Sequence, residues 1–495
     1  MSIVFLRHLW LGSALSTLAA CGGRSGLDGT QTQVAGESSL GGHFATGARH
    51  STAGETILPT RGTVAAGGES GIGGAIQPIG CTVATGGKAG ACGMTGGTRP
   101  VGGAGGIGGT FTGGQGGSAG FAGSTSGGAT ATGGTSAIGG TSSTRLVAKM
   151  IGAGTGHSCA VVTDGTLRCW GFNGYWQLGD RTTTDRPLPA TAQATNLIGV
   201  AAGGDHTCAL NASGMVQCWG ANSSGQIGNG STIDSAIPVL VRSTTNMTVV
   251  SAGEKHSCAL LSSGVIQCWG ENGLGELGDG TRVSNSLPVS VSGSSSATAI
   301  SAGAHHSCAV VNGGAVQCWG SNLTGELGVG TAAYYSSAPV IVSGVGNAKA
   351  VAAGSQHSCA LLATGAVSCW GANIGGQLGD GTSGSRISPA PVFGISTAKS
   401  IAAGDDHTCA VLSDGTIECW GVSDFGVLGS GAGDATLLPV SVSGISNAAA
   451  IAAGSLHMCA LLTTGAVQCW GLNDKGQLGD GTTQTSFVPV TVGGF

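Results

Sequence analysis

The chain repeats itself. His157, His206, His256, His306, His357, His407 and His457 recur at spacings of 49, 50, 50, 51, 50 and 50 residues, and each opens the same phrase. In the third copy it runs Ser251-Ala252-Gly253-Glu254-Lys255-His256-Ser257-Cys258-Ala259-Leu260-Leu261-Ser262-Ser263-Gly264-Val265-Ile266-Gln267-Cys268-Trp269-Gly270. Asn272 follows, then a Gly-rich stretch to Leu277-Gly278-Asp279-Gly280-Thr281, then Leu287-Pro288-Val289-Ser290-Val291. A fixed period of this length marks an array of like units, none of which can bury its apolar face alone.

Four short strands fit each unit. In the third, strand a ends at Ala252, strand b spans His256 to Leu261, strand c spans Val265 to Trp269, and strand d spans Pro288 to Val291. The proline is placed at the strand start, where no ladder N–H is lost. The b–c loop is Ser262-Ser263-Gly264; a three-residue hairpin loop needs its third residue in the left-handed region, and Gly stands there in all seven copies. Four-stranded units repeated radially make a propeller. The expected fold is therefore all-β, a seven-bladed β-propeller over residues 146–495. A closed ring must tie its ends, so we expect the strand at Val488–Val492 to join the first blade, or residues 145–149 to complete the last.

The pattern A-G-x-x-H-x-C-A-L, G-x-V-x-C-W-G-x-N, G-x-L-G-D-G-T and P-V resembles the RCC1 repeat over roughly residues 147–495. The resemblance implies a seven-bladed propeller and a protein-binding habit. That family includes the exchange factor for the GTPase Ran and a secreted bacterial inhibitor of β-lactamases, so it does not imply one function.

Fourteen of the 17 cysteines form seven pairs ten residues apart: Cys159 with Cys169, Cys208 with Cys218, Cys258 with Cys268, Cys308 with Cys318, Cys359 with Cys369, Cys409 with Cys419, and Cys459 with Cys469. With the three-residue turn, Cys258 faces Cys268 at a non-hydrogen-bonded position, where the Cα atoms are within disulfide reach. One cross-strand disulfide per blade is expected, which suits an oxidising compartment. Buried free thiols and a metal site are the alternatives; structural zinc wants four ligands at closer spacing, so no metal and no cofactor is assigned. The recurring histidines are expected to bond backbone of their own or the next blade. The recurring tryptophans should fill the gaps between blades. Asp279, Asp380 and Asp480 are read as turn-forming residues rather than calcium ligands.

The N-terminus reads as an export signal. Arg7 precedes an apolar run, Leu9 to Leu18, that ends in Leu18-Ala19-Ala20-Cys21. This resembles a bacterial lipobox cut before Cys21, which implies a signal peptide over 1–20 and lipidation of Cys21, the only expected contact with a membrane. Gly22, not Asp, follows, so an outer-membrane or cell-surface location is expected. Residues 21–145 are dominated by Gly, Ser, Thr and Ala and bury too little apolar surface to fold. They are expected to be a disordered tether with a reach on the order of 60 Å. Gly116-Gly117-Ser118-Ala119-Gly120 matches a nucleophile motif, but no strand precedes it and no catalytic residue is assigned.

The net charge of −5 divides into +4 over residues 1–149 and −9 over the rest, so the propeller should repel nucleic acid. In an up-and-down blade the a–b and c–d loops share one face. The a–b loops vary: Asp205, Glu254 with Lys255, and Asp405 with Asp406. Among the c–d loops, the first repeat carries Phe172, Tyr175 and Trp176, the last standing where the other repeats have Gly, and the fourth carries Tyr334-Tyr335. Exposed aromatics beside acidic groups suit a protein interface. The expected function is an envelope-anchored, monomeric scaffold for an unidentified protein or surface ligand. A propeller-based hydrolase or lyase is the alternative, and a GTPase exchange factor a further one.

Overall fold

The computed structural model describes residues 146–331 and 333–495. The expected signal peptide, Cys21, the Gly-rich segment and the cysteines Cys81 and Cys92 lie outside the described residues. The described chain forms seven sheets of four antiparallel strands, each built from consecutive strands. In blade 1 strand a is Ala148–Ala153, b is His157–Val162, c is Leu167–Gly171 and d is Arg186–Thr191. In blade 3 they are Met247–Ala252, His256–Leu261, Ile266–Gly270 and Asn285–Ser290.

The hairpin register is the expected one. Leu260 faces Ile266, Ala259 faces Gln267 and Cys258 faces Cys268. Each blade holds the expected disulfide between strands b and c. Cys159 is bonded to Cys169, Cys208 to Cys218, Cys258 to Cys268 and Cys308 to Cys318. Cys359 is bonded to Cys369, Cys409 to Cys419 and Cys459 to Cys469. The Cα atoms of every pair are 4.0–4.1 Å apart, the close approach of a non-hydrogen-bonded position. Gly264, at the third loop position, has φ +82°; a Cβ there would lie 2.7 Å from the Ser296 Cα, so both conformation and space demand glycine.

Strand d differs from the expectation. It starts three residues before Pro288, and the ladder shifts between Cys268, opposite Val289, and Gly270, opposite Asn285. Pro288 therefore sits in a bulge on the outermost strand, where its missing N–H breaks no ladder bond. Strand c runs one residue later than expected, because Gly270 still pairs with His256.

The ring also closes differently from the expectation. No strand is exchanged: blade 1 and blade 7 are each complete from consecutive strands. The ends meet through the bonds that recur at other junctions. Ala148 N donates to Gly465 O at 2.9 Å, as Met247 N does to Gly214 O at 3.0 Å. On the opposite face Ser455 N donates to Gly154 O at 3.4 Å, as Gly204 N does to Gly253 O. Phe495 adds an edge-on contact with Trp170, ring centres 6.0 Å apart. Exchange is unnecessary because every blade face is covered by its neighbour.

The core lies between blades rather than within them. Seven buried clusters repeat one composition: Cys159, Val161, Leu167, Cys169 and Leu178 of blade 1 pack on Leu197, Val200, Ala209 and Trp219 of blade 2. Each tryptophan thus covers the disulfide of the blade before it, as expected. All seven have no exposed surface. A buried indole needs a partner for its N–H; Trp219 Nε1 donates to Gln177 O at 3.0 Å, in the preceding c–d loop.

Candidate functional site: the loop face of the propeller

The c–d loop is built around one buried asparagine. In blade 1 the Asn173 Oδ1 accepts the Leu178 amide at 3.1 Å, and Nδ2 donates to Thr182 O at 2.9 Å. Six blades share this residue; blade 6 has Ser423 instead. Downstream, the Asp180 carboxylate accepts the Thr182 amide and hydroxyl at 2.9 and 2.8 Å and pairs with Arg186 at 2.8 Å. Burial raises the Asp180 carboxyl, but these bonds outweigh it and hold it below its ordinary value. Asp279, Asp380 and Asp480 make the same turn with Thr281, Thr382 and Thr482, so the turn reading of these residues describes their bonds.

The recurring histidines bond chiefly side chains of the next blade rather than its backbone, which corrects the expectation; His357 also has a backbone bond to Asp405. His157 Nε2 lies 2.8 Å from the Thr207 Oγ1 of the next blade, and that hydroxyl donates to Gln177 O at 2.7 Å. The pattern continues through Ser257, Ser307, Ser358 and Thr408, and His457 returns to Ser158 at 2.7 Å. The hydroxyl's one proton goes to the loop carbonyl, so the imidazole must donate from Nε2, which leaves Nδ1 bare. Six of the seven Nδ1 atoms are buried without a partner, His157 among them. Burial pushes His157, His256, His306, His357 and His407 down to about 3, and His206 and His457 to about 4. The ring breaks once: His407 meets the Met458 sulfur at 3.1 Å, and Val427 stands where other blades have Gln or Glu.

These bonds bury the recurring polar residues within the ring, away from the loop surface. One pocket lies on the opposite face, at the blade 7 to blade 1 junction, lined by Val147, Thr464, Val467, Thr491, Val492 and Phe495, with no acid–base pair among these.

An RCC1-like domain matches residues 109–449, and RCC1 repeats match residues 448–477 and 464–495. The chain belongs to the RCC1-like domain family. Human WBSCR16 has a similar structure, at 21% identity and TM-score 0.60 over 66% of this chain and 94% of its own. Yeast RCC1 (Prp20), solved bound to Kap60, matches at 22% identity and TM-score 0.59 over 67% of this chain and 84% of its own. A second yeast structure, described with the binding of Prp20p to Gsp1p and histones, matches at 22% identity and TM-score 0.59 over 70% of this chain and 88% of its own. Likeness at this identity shows the fold alone. A search of curated proteins finds no match.

On the RCC1-like propeller the sequence candidates fall into separate groups. Phe172 and Tyr175 touch edge-on, ring centres 6.2 Å apart, with Tyr175 44% exposed. Trp176 is half-buried at φ +63°, where the six other blades carry Gly at positive φ. Tyr175 is less distinctive than Trp176, because Leu274 and Phe425 occupy the same place in blades 3 and 6. Tyr334 is 72% exposed, and Tyr335 lies under the Arg282 guanidinium at 4.6 Å. Blades 1 and 4 are three apart on a ring of seven, so these aromatics form two patches rather than one.

The acidic candidates are more engaged than a free charge pattern suggests. Asp205 accepts Gln177 Nε2 at 3.3 Å, and burial, with the nearby Glu254 adding, raises its carboxyl above the ordinary value. Asp406 accepts Gln377 Nε2 at 2.9 Å, and Asp405 accepts the Ser455 hydroxyl of the next blade. Glu254 and Lys255 are exposed. The sequence reading noted His305 among the varying a–b loop residues but did not make it a candidate, and it missed Glu276; the two approach each other across the blade 3 to blade 4 junction. Their only sequence signal was departure from the repeat.

Proposed function

We propose that this protein is a binding scaffold that presents its a–b and c–d loops to a protein partner. One observation supports this reading above others. The recurring His, Cys, Trp and Asn side chains are buried and bonded within the ring, while the blade-specific Tyr175, Tyr334, Lys255 and Glu254 are exposed on one face. Binding rather than catalysis is proposed because that face offers aromatic anchors among charges, the composition of interface hot spots. The partners named with the yeast RCC1 structures are proteins, which agrees in kind.

The proposal extends to location. Seven disulfides suit an oxidising compartment, and no helix among the described residues is long and apolar enough to cross a membrane. Lipidation of Cys21 would hold the chain at the envelope surface. Metabolic labelling with a fatty-acid analogue should mark the wild type and not Cys21→Ser; equal labelling overturns the anchor.

The scaffold reading is tested by cross-linking on intact envelopes, comparing wild type with Tyr175→Ser and Tyr334→Ala. Ser224 already occupies the Tyr175 position in blade 2, so the first variant carries little risk to folding. A partner adduct that falls at least tenfold in one variant supports the reading, since a hot spot is worth about 2 kcal/mol or more. Adducts that depend instead on the b–c turns, such as Ser262-Ser263, would place binding on the opposite face and overturn it.

A further inference from the structure

The junction between blades 3 and 4 departs from the repeat at three positions that meet in space. Glu271 follows the Trp-Gly of strand c, where other blades carry Phe172, Ala221, Ser321, Ala372, Val422 or Leu472. Glu276 stands where four blades carry Gln. His305 precedes the recurring histidine of blade 4, where no other blade has His. One ligand atom from each of the three lies within 4.8 Å of those from the others.

The repeat itself shows what is unusual here. At the blade 1 to 2 and blade 5 to 6 junctions, the loop Gln donates to the next blade's acid, Gln177 to Asp205 and Gln377 to Asp406. At this junction the buried member is an acceptor. Blade 4 also has a glutamate in the loop, Glu326, but its Oε1 accepts the Ser321 hydroxyl at 3.0 Å. In blade 3 the residue at the place of Ser321 is Glu271, a second carboxylate. Glu276 is 1% exposed; its Oε2 accepts the Leu274 amide at 2.9 Å, while Oε1 faces His305 Nδ1 at 3.9 Å, beyond hydrogen-bond range. A divalent cation between the two carboxylates would offset their mutual repulsion.

His305 is oriented for that task. Its Nε2 lies 3.5 Å from the Glu254 carboxylate, on the side away from Glu276. A hydrogen bond from Nε2 to that carboxylate, once closed, would leave the Nδ1 lone pair facing Glu276, the usual outer support of a metal-bound histidine. We propose that Glu271, Glu276 and His305 form a site for a divalent transition metal of the zinc class, with Glu254 as the positioning residue of His305. One imidazole with two carboxylates suits zinc and its neighbours; calcium and magnesium prefer six or more oxygens. Three protein ligands leave a fourth position for water or a partner's side chain. Donors around a tetrahedral ion lie roughly 3.3 Å apart at zinc–ligand distances of about 2.0–2.1 Å. His305 and Glu271, both only half-buried, must therefore swing inward by about an ångström while Glu276 stays fixed.

The test is titration of the full disulfide-bonded chain with Zn²⁺ alone, by calorimetry, with Co²⁺ absorption as a second readout. Each variant borrows a residue from another blade: Glu271→Ala from blade 2, Glu276→Gln from blade 1 and His305→Gln from blade 5. All three should fold with unchanged circular dichroism. Histidines and cysteines elsewhere in the chain are common to all forms, so any background binding cancels. The expected result is one site present in the wild type, weakened at least tenfold in each variant, and not displaced by Ca²⁺ or Mg²⁺. Glu254→Gln should weaken it 10- to 100-fold, in the range of about one to two decades typical of outer-shell partners. Identical Zn²⁺ isotherms for wild type and His305→Gln would overturn the proposal. Displacement by Ca²⁺ would overturn the assignment of metal class.

Discussion

Acidification should unfold this propeller well above the pH at which its carboxylates protonate. The seven ring histidines are fully buried and hold values near 3 or 4 when folded, against an ordinary value of 6.5. Their folded values are depressed, and for a base this means that the unfolded chain binds protons first. The stability they contribute is complete above about pH 7 and is lost as pH falls from 6.5 toward 4. At pH 5.5 each unfolded imidazole is about nine-tenths protonated and each folded one neutral, so each costs about 1.4 kcal/mol. Seven together cost about 10 kcal/mol, comparable with the whole stability of a typical domain. The result needs only that the folded values stay below about 4.5. Asp205 and Glu276, raised by burial, act in the opposite direction but are two against seven. Guanidinium unfolding followed by fluorescence of the buried tryptophans, at pH 7.5 and 5.5, measures the difference. Proton uptake on unfolding should approach seven near pH 5.5. A loss below about 3 kcal/mol, the share of two histidines, would refute the bare Nδ1 geometry and require a protonated ring.

Trp176→Gly should stabilise the protein by about 1 kcal/mol by relieving a side chain at positive φ, read as a higher melting temperature; a clear fall would show that the indole is core. The double substitution Cys258→Ala with Cys268→Ala should cost about 2–3 kcal/mol for a loop of this length, with the six other bridges intact by non-reducing peptide mapping. Trp269→Phe removes the bond from Nε1 to Gln226 O at 2.8 Å together with buried volume, and should cost about 1–3 kcal/mol. Tyr334→Ala, at a 72% exposed site, should stay within about 0.5 kcal/mol of wild type.

The fold is legible because each repeat states it again. The Cys pairs, the loop glycine and strand b set the register between them, since a β-hairpin with a defined turn has one register. What local sequence does not set is harder to read. Strand d reads too late because Pro288 looks like a strand start, whereas a bulge opposite Trp269 accommodates it. Ring closure is ambiguous because strand exchange and side-by-side docking have the same strand pattern; the bond from Ala148 N to Gly465 O decides between them. The histidine partner is also illegible. Thr207, Ser257 and their counterparts are one residue past the next blade's histidine, and only the radial stacking of blades brings them within 2.8 Å.

The same logic explains why the functional residues are harder to read. A repeat averages away whatever is peculiar to one blade, so the shared pattern reports architecture and the departures report everything else. Departures are not all functional, however. Met458 and Val427 depart together: the hydroxyl that would bond the loop carbonyl is gone, and Trp470 Nε1 alone serves Val427 O at 2.8 Å. That pair is apolar and buried, and it compensates within the junction. Glu271, Glu276 and His305 also depart together, and there the Glu276 Oε1 lies 3.9 Å from the His305 Nδ1, beyond hydrogen-bond range. A departure that closes its own hydrogen bonds belongs to the ring. One that gathers two carboxylates and an imidazole at the loop face is where, on the proposal above, an ion completes the structure.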